Sequence, residues 1–113
     1  MKTVTLSVSS IEATKRQMAA AFLGERQGDH ISFASMELLW KVLTVKRWEL
    51  LRAMTGQGAM TIRELARYVG RDVKAVHGEV HALLDAGVLD KTEDGRVVFP
   101  YDAVHVEFTL KAA

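Results

Sequence analysis

The stretch from Met60 to Phe99, MTIRELARYVGRDVKAVHGEVHALLDAGVLDKTEDGRVVF, constrains the fold more than any other part of the chain. Thr61 stands three residues before Glu64, the spacing of a helix capping box. Ile62, Leu65, Ala66 and Val69 then fall on one helical face. Gly70 stops that helix, and Asp72 can cap the next. In the second helix Val73, Val76, Val80, Leu83 and Leu84 make a single apolar stripe. Gly87 ends it in the left-handed conformation that glycine adopts most easily. Two short β-rich runs follow, Val88–Lys91 and Arg96–Phe99. Between them lies TEDG, whose Asp94-Gly95 step favours a hairpin turn.

Two helices about a glycine turn, followed by a hairpin, form the pattern of a winged helix-turn-helix, an α+β fold. The preceding segment supplies the third helix. Val45–Met54 places Trp48, Leu51 and Met54 on one side and Lys46, Glu49 and Arg52 on the other. Trp48 is its largest anchor, with on the order of 200 Å² to bury. Met54, Met60 and both tryptophans read as core. Ser35 caps a short helix, Met36–Leu43, and Thr44 marks a restart or a kink.

The flanks are of a different kind. Residues 3–8 alternate, with Val4, Leu6 and Val8 against Thr3, Thr5 and Ser7, as in a half-buried strand. Ser9 and Glu12 give a second capping-box spacing for a helix to about Leu23. Ile31-Ser32-Phe33 is a short strand or an apolar entry segment. A last strand alternates Val104, Val106, Phe108 and Leu110 with His105, Glu107 and Thr109. The domain expectation is a strand–helix extension over 1–34, the winged helix-turn-helix over 35–100 and a C-terminal strand over 101–113. The two end strands can pair with each other or with a second subunit; unpaired edges are a liability, and a homodimer through these elements is expected.

Composition excludes several classes. The chain of 113 residues is 49% hydrophobic, which suits one globular domain. It contains no cysteine, which excludes disulfides, thiol catalysis and thiolate-bound zinc. No apolar run reaches the length of a membrane span, and MKTVTLSVSS lacks the apolar centre of a signal peptide, so a cytoplasmic protein without a membrane partner is expected. Net charge is only +1, but it is unevenly spread. From Lys41 to Lys74, eight Lys/Arg face three acids, a local +5; residues 75–113 carry three bases and seven acids, a local −4. Affinity for nucleic acid depends on local phosphate neutralisation, so the basic half is the part that matters.

GRDVKAVHGEVHALLDAGVLDKTEDGRVVFPYD resembles the recognition helix and wing of small prokaryotic regulators of the MarR-like and ArsR-like winged-helix type. Leu83-Leu84-Asp85-Ala86-Gly87-Val88-Leu89 matches the L-x-x-x-G-hydrophobic-hydrophobic ending of that helix. SFASMELLWKVLTVKRWELLRAM followed by TIRELARYVGRDVKAVH is similar to a group of short bacterial and archaeal transcriptional regulators, so the likeness covers most of the chain. The resemblance implies sequence-specific binding of double-stranded DNA and transcriptional control. It also implies that the DNA-facing positions are Lys74, Ala75, His77 and Gly78, with His81 one turn on. Related proteins often carry serine and arginine where His77 and Gly78 stand. Some such regulators act as antitoxins, which leaves as an alternative a module whose main partner is another protein, a toxin.

Other candidates come from position. Arg71 and Lys74 open the second helix, where side chains reach base edges or phosphates; an arginine on guanine is worth about 1–3 kcal/mol of discrimination. Lys91 and Arg96 flank the hairpin tip, although Glu93 and Asp94 there repel phosphate. Arg63, in the first turn of the preceding helix, can hold a phosphate beside the helix amides. His77 and His81 share a helical face at a metal-binding spacing, but Glu79 is not placed as in HExxH, and no metal or cofactor is assigned. No P-loop, dinucleotide-binding glycine pattern or nucleophile elbow is present, so no enzyme is expected.

Overall fold

The computed structural model describes residues 2–8 and 29–109. The helix expected between Ile11 and Leu23 lies outside them, as does Leu110. The described residues form an α+β fold of four helices, a three-stranded sheet and a two-stranded ribbon. In chain order these are β1 (Thr3–Val8), β2 (Asp29–Phe33), α1 (Met36–Val42), α2 (Val45–Met54), α3 (Ile62–Val69), α4 (Val73–Asp85), β3 (Asp90–Lys91), β4 (Val97–Val98) and β5 (Ala103–Glu107).

Local capping fixes the helix starts. The side chains of Ser35, Thr44, Thr61 and Asp72 each accept a backbone N–H from three residues on. At α3 the box is reciprocal: the Thr61 N–H donates to Glu64 Oε1 at 3.1 Å, and the Glu64 N–H donates to Thr61 Oγ1 at 3.1 Å. This holds the Glu64 carboxyl below its ordinary pKa, with the charges of Arg96 and Arg67 adding to it. Gly70 closes α3 at φ 69°, a left-handed conformation that a side chain would strain. The Asp94-Gly95 step sits in a hairpin loop closed by Thr92 and Arg96, whose backbones meet at 2.8 Å. The hairpin strands are shorter than expected, two residues each. A third stretch joins them, because Met60 exchanges both backbone hydrogen bonds with Val97 at 2.8 and 2.9 Å.

The sheet order is β2-β1-β5, and both pairings are parallel. The two end strands thus pair with each other within the chain, in the register Val4 to Val104 and Leu6 to Val106. Ile31-Ser32-Phe33 is part of a strand. Parallel neighbours need a long connection, which residues 9–28 supply between β1 and β2.

One buried cluster unites the sheet with the helices. It contains Val4, Leu6 and Phe33 from the sheet, Leu39, Leu50, Leu51, Met54, Leu65, Ala66, Val76, Val80 and Leu83 from the helices, and Leu89, Val97 and Phe99 from the ribbon region. The sheet is also clasped at Asp102, whose N–H donates to the Lys2 carbonyl at 2.7 Å and whose carboxylate accepts the Lys2 N–H at 2.9 Å.

Three expectations about burial are corrected. Trp40 is not core: it is 51% exposed, edge-on to Phe108 with ring centroids 6.2 Å apart, because the inward side of its helix carries the buried Leu39 and the partly buried Val42. Val73 is 41% exposed at the start of α4, since the buried stripe runs through Val76, Val80 and Leu83. The outer end of the last strand is likewise uncovered among the described residues, with Val106 and Phe108 exposed. Trp48 packs against the core but is only half-buried.

Candidate functional site

Opposite the buried stripe of α4 lies an exposed strip. Lys74, Ala75, His77, Gly78 and His81 all stand on it. Burying Val76, Val80 and Leu83 at a helical period forces the intervening residues outward. The sequence places Glu79 between the two histidines, yet the carboxylate is held away from them. It accepts a hydrogen bond from Arg47 Nε at 2.6 Å, and both side chains are largely buried. Arg47 Nη1 also donates to the Val42 carbonyl at 2.7 Å, which fastens α4 to the end of α1. Asp72 is occupied in capping Ala75, and Asp85 stands at the far end of the helix. Lys74 has no ion-pair partner among the described residues.

Gly78 sits in the middle of α4. A Cβ added there meets no atom within 4 Å. Nothing inside the chain therefore requires a glycine, although an interior helix glycine costs roughly 0.5–1 kcal/mol relative to alanine. The missing side chain leaves a shallow gap on the exposed strip.

The two histidine rings meet, with Nε2 atoms 3.1 Å apart and ring centroids 4.2 Å apart. Among the described residues no group of three or more His, Asp or Glu converges on a point where a metal could sit.

Arg71 stands differently from its expected role. Its guanidinium donates to the Lys46 carbonyl at 3.1 Å and to the Glu49 carboxylate, and only 20% of its side chain is exposed. It ties the α3–α4 turn to α2. The partner is Glu49, on a different helix, rather than the adjacent Asp72. Arg47 is the pair's counterpart that sequence reasoning missed; its partner lies 32 residues away, and no local pattern signals it.

The remaining candidates are Arg63 at the start of α3 and two bases of the hairpin. Arg63 is exposed in its first turn. Arg96 pairs with Asp94 at 3.3 Å and reaches Glu64 electrostatically. Asp94 also accepts the Thr92 hydroxyl, and that bond, with the Arg96 N–H and charge, lowers its pKa. One base at the hairpin is thus neutralised by its own loop. Lys91 is exposed in β3.

A separate open cavity of about 350 Å³ lies between α2 and β5, lined by Trp48, Leu51, Arg52, Thr55 and Val104. It leaves Trp48 half-buried and includes none of the candidate DNA-facing residues.

The HVO_A0114 family model matches residues 42–106, more than half of the chain. The chain belongs to the HVO_A0114 family. The matched region of this family member runs from the end of α1 through β5 and takes in the exposed strip and the ribbon. No curated protein and no solved structure matches the chain. No helix among the described residues is long and apolar enough to cross a membrane.

Proposed function

We propose that this HVO_A0114 family member is a winged helix-turn-helix regulator that binds double-stranded DNA, with α4 as its recognition helix in the major groove. The exposed strip of α4 carries the reading. Lys74 is unpaired there, the histidines add donors and acceptors, Gly78 and Ala75 allow close approach, and the one mid-helix carboxylate is withdrawn by Arg47. A surface that must meet phosphates and base edges needs just such a combination. Arg63 at the start of α3 adds a phosphate contact, and the β3–β4 hairpin, tied to α3 through Met60 and Val97, serves as the wing. Arg96, neutralised by Asp94, and Lys91 contribute weakly. Arg71 is assigned a structural role.

Selection from a genomic DNA pool at about 50 mM salt, where phosphate-driven binding is strong, tests this. Enrichment of a defined site that K74A binds less well is expected; a pool with no enriched DNA contradicts it.

We further propose a homodimer through β5, one of the two outer strands of the sheet among the described residues. Antiparallel pairing centred on Val106 sets His105 opposite Glu107 of the second copy and Val104 opposite Phe108, matching polar groups on one face and apolar groups on the other. A second reading uses the same edge for another protein, as in an antitoxin; the exposed Trp40–Phe108 pair favours a protein partner of some kind. Mass measurement of the chain alone and with its genomic neighbour's product separates the two.

A further inference from the structure

We propose that His77 and His81 form a two-nitrogen site for a late divalent transition-metal ion, Cu²⁺ or Ni²⁺, on the exposed strip of α4. Four residues apart, they stand on consecutive turns of one helix. Both rings are exposed, and their Nε2 atoms converge to 3.1 Å. In the metal-free state that contact needs one ring to donate an Nε2–H and the other to accept it. On metal binding the donating ring takes up its other neutral tautomer, with the proton on Nδ1, and both Nε2 lone pairs then face the ion.

The separation of the metal-free contact is compatible with a tetragonal ion. With metal–nitrogen bonds of about 2.1 Å, two ligands 3.1 Å apart subtend about 95° at the ion, whereas a tetrahedral angle would spread them to about 3.4 Å. A near-right angle is the angle between neighbouring ligands in tetragonal Cu²⁺ and Ni²⁺ complexes, not in tetrahedral zinc sites. Copper is the tighter of the two by the general order of divalent affinities. No carboxylate crowds the pair, because Glu79 is held by Arg47 and Asp85 lies a turn beyond His81. No further His, Asp or Glu completes the sphere among the described residues, so the other positions are open to water or to an incoming ligand. The site rests on this geometry alone. Its consequence for DNA rests on the reading above: an ion there adds two positive charges and open coordination positions to the surface set against the duplex.

The test titrates CuCl₂ into the full chain, purified without a histidine tag, by calorimetry and electron paramagnetic resonance. One ion per chain with two equatorial nitrogens is expected. H77Q and H81Q, both at exposed positions, each lower the affinity by at least about tenfold, and the double variant abolishes the site while its circular dichroism is unchanged. Equal binding by the double variant, or a spectrum with one nitrogen, overturns the proposal. A second arm adds NiCl₂ to the DNA-binding assay, and a change of at least about threefold in DNA affinity for the wild type but not for H77Q/H81Q supports the site's placement at the duplex. Copper binding by a chain that binds no DNA leaves the metal site standing and removes the DNA reading instead.

Discussion

Gly78 separates what the chain needs from what its surface does. Open space surrounds the position where a Cβ would stand, so G78A relieves the helix-interior penalty and raises stability by roughly 0.5–1 kcal/mol in urea denaturation. The same change is expected to weaken DNA binding several-fold, because the added methyl fills the gap on the strip. A loss of stability would show that the glycine is required by the fold itself. Arg47 and Arg71 behave in the opposite way. Each joins a carboxylate and a backbone carbonyl across helices, so R47A is expected to destabilise by about 1–3 kcal/mol and R71A, whose partner Glu49 is more exposed, by about 1 kcal/mol. Here the sequence was least informative. Arg71 adjoins a helix start, the basis of its expected DNA contact, and its ion-pair partner within the chain lies 22 residues back. Ion pairs between helices depend on crossing geometry, which no local spacing encodes.

At the level of elements, caps and glycine stops are local, which is why α2, α3 and α4 begin and end close to where Thr44, Thr61, Asp72 and Gly70 place them. T61A removes the reciprocal box of α3 and is expected to cost about 1 kcal/mol. The box also has a pH signature. The folded Glu64 pKa is depressed, so its contribution is present above the ordinary carboxylate value and is lost as pH falls through the folded value. Asp94 at the hairpin tip acts in the same sense. Thermal unfolding followed from neutral pH down through the carboxylate range therefore shows a declining midpoint, and E64Q flattens part of that decline. An E64Q profile that tracks the wild type would remove the carboxylate from the account. Strand pairing was less legible than helix ends. Alternation identifies β1 and β5 as strands, but the exposure of Val106 and the parallel partnership between opposite ends of the chain depend on tertiary packing, and the Met60–Val97 bridge uses backbone groups that carry no sequence pattern.

For the molecule as a whole, the uneven charge and the exposed Val106 and Phe108 of the last strand are the two features on which the proposed partners rest. F108E places a charge beside Trp40 and, in the self-paired register, opposite Val104. It is expected to convert a dimer to a monomer in sedimentation at micromolar concentration, with no loss of secondary structure; an unchanged mass would exclude the β5 interface. The local +5 of residues 41–74 overstates the charge available to DNA, because Arg47 pairs with Glu79 from outside that stretch, while the Arg71–Glu49 pair is already counted within it; Lys74 is then the principal free cation at the α4 strip. The most direct test is therefore the salt dependence of DNA affinity for the wild type and K74A on the same selected site. Log affinity is expected to fall linearly with log salt for the wild type, and K74A to bind more weakly with a slope shallower by about one. Identical affinity and slope for the two proteins would contradict this expectation.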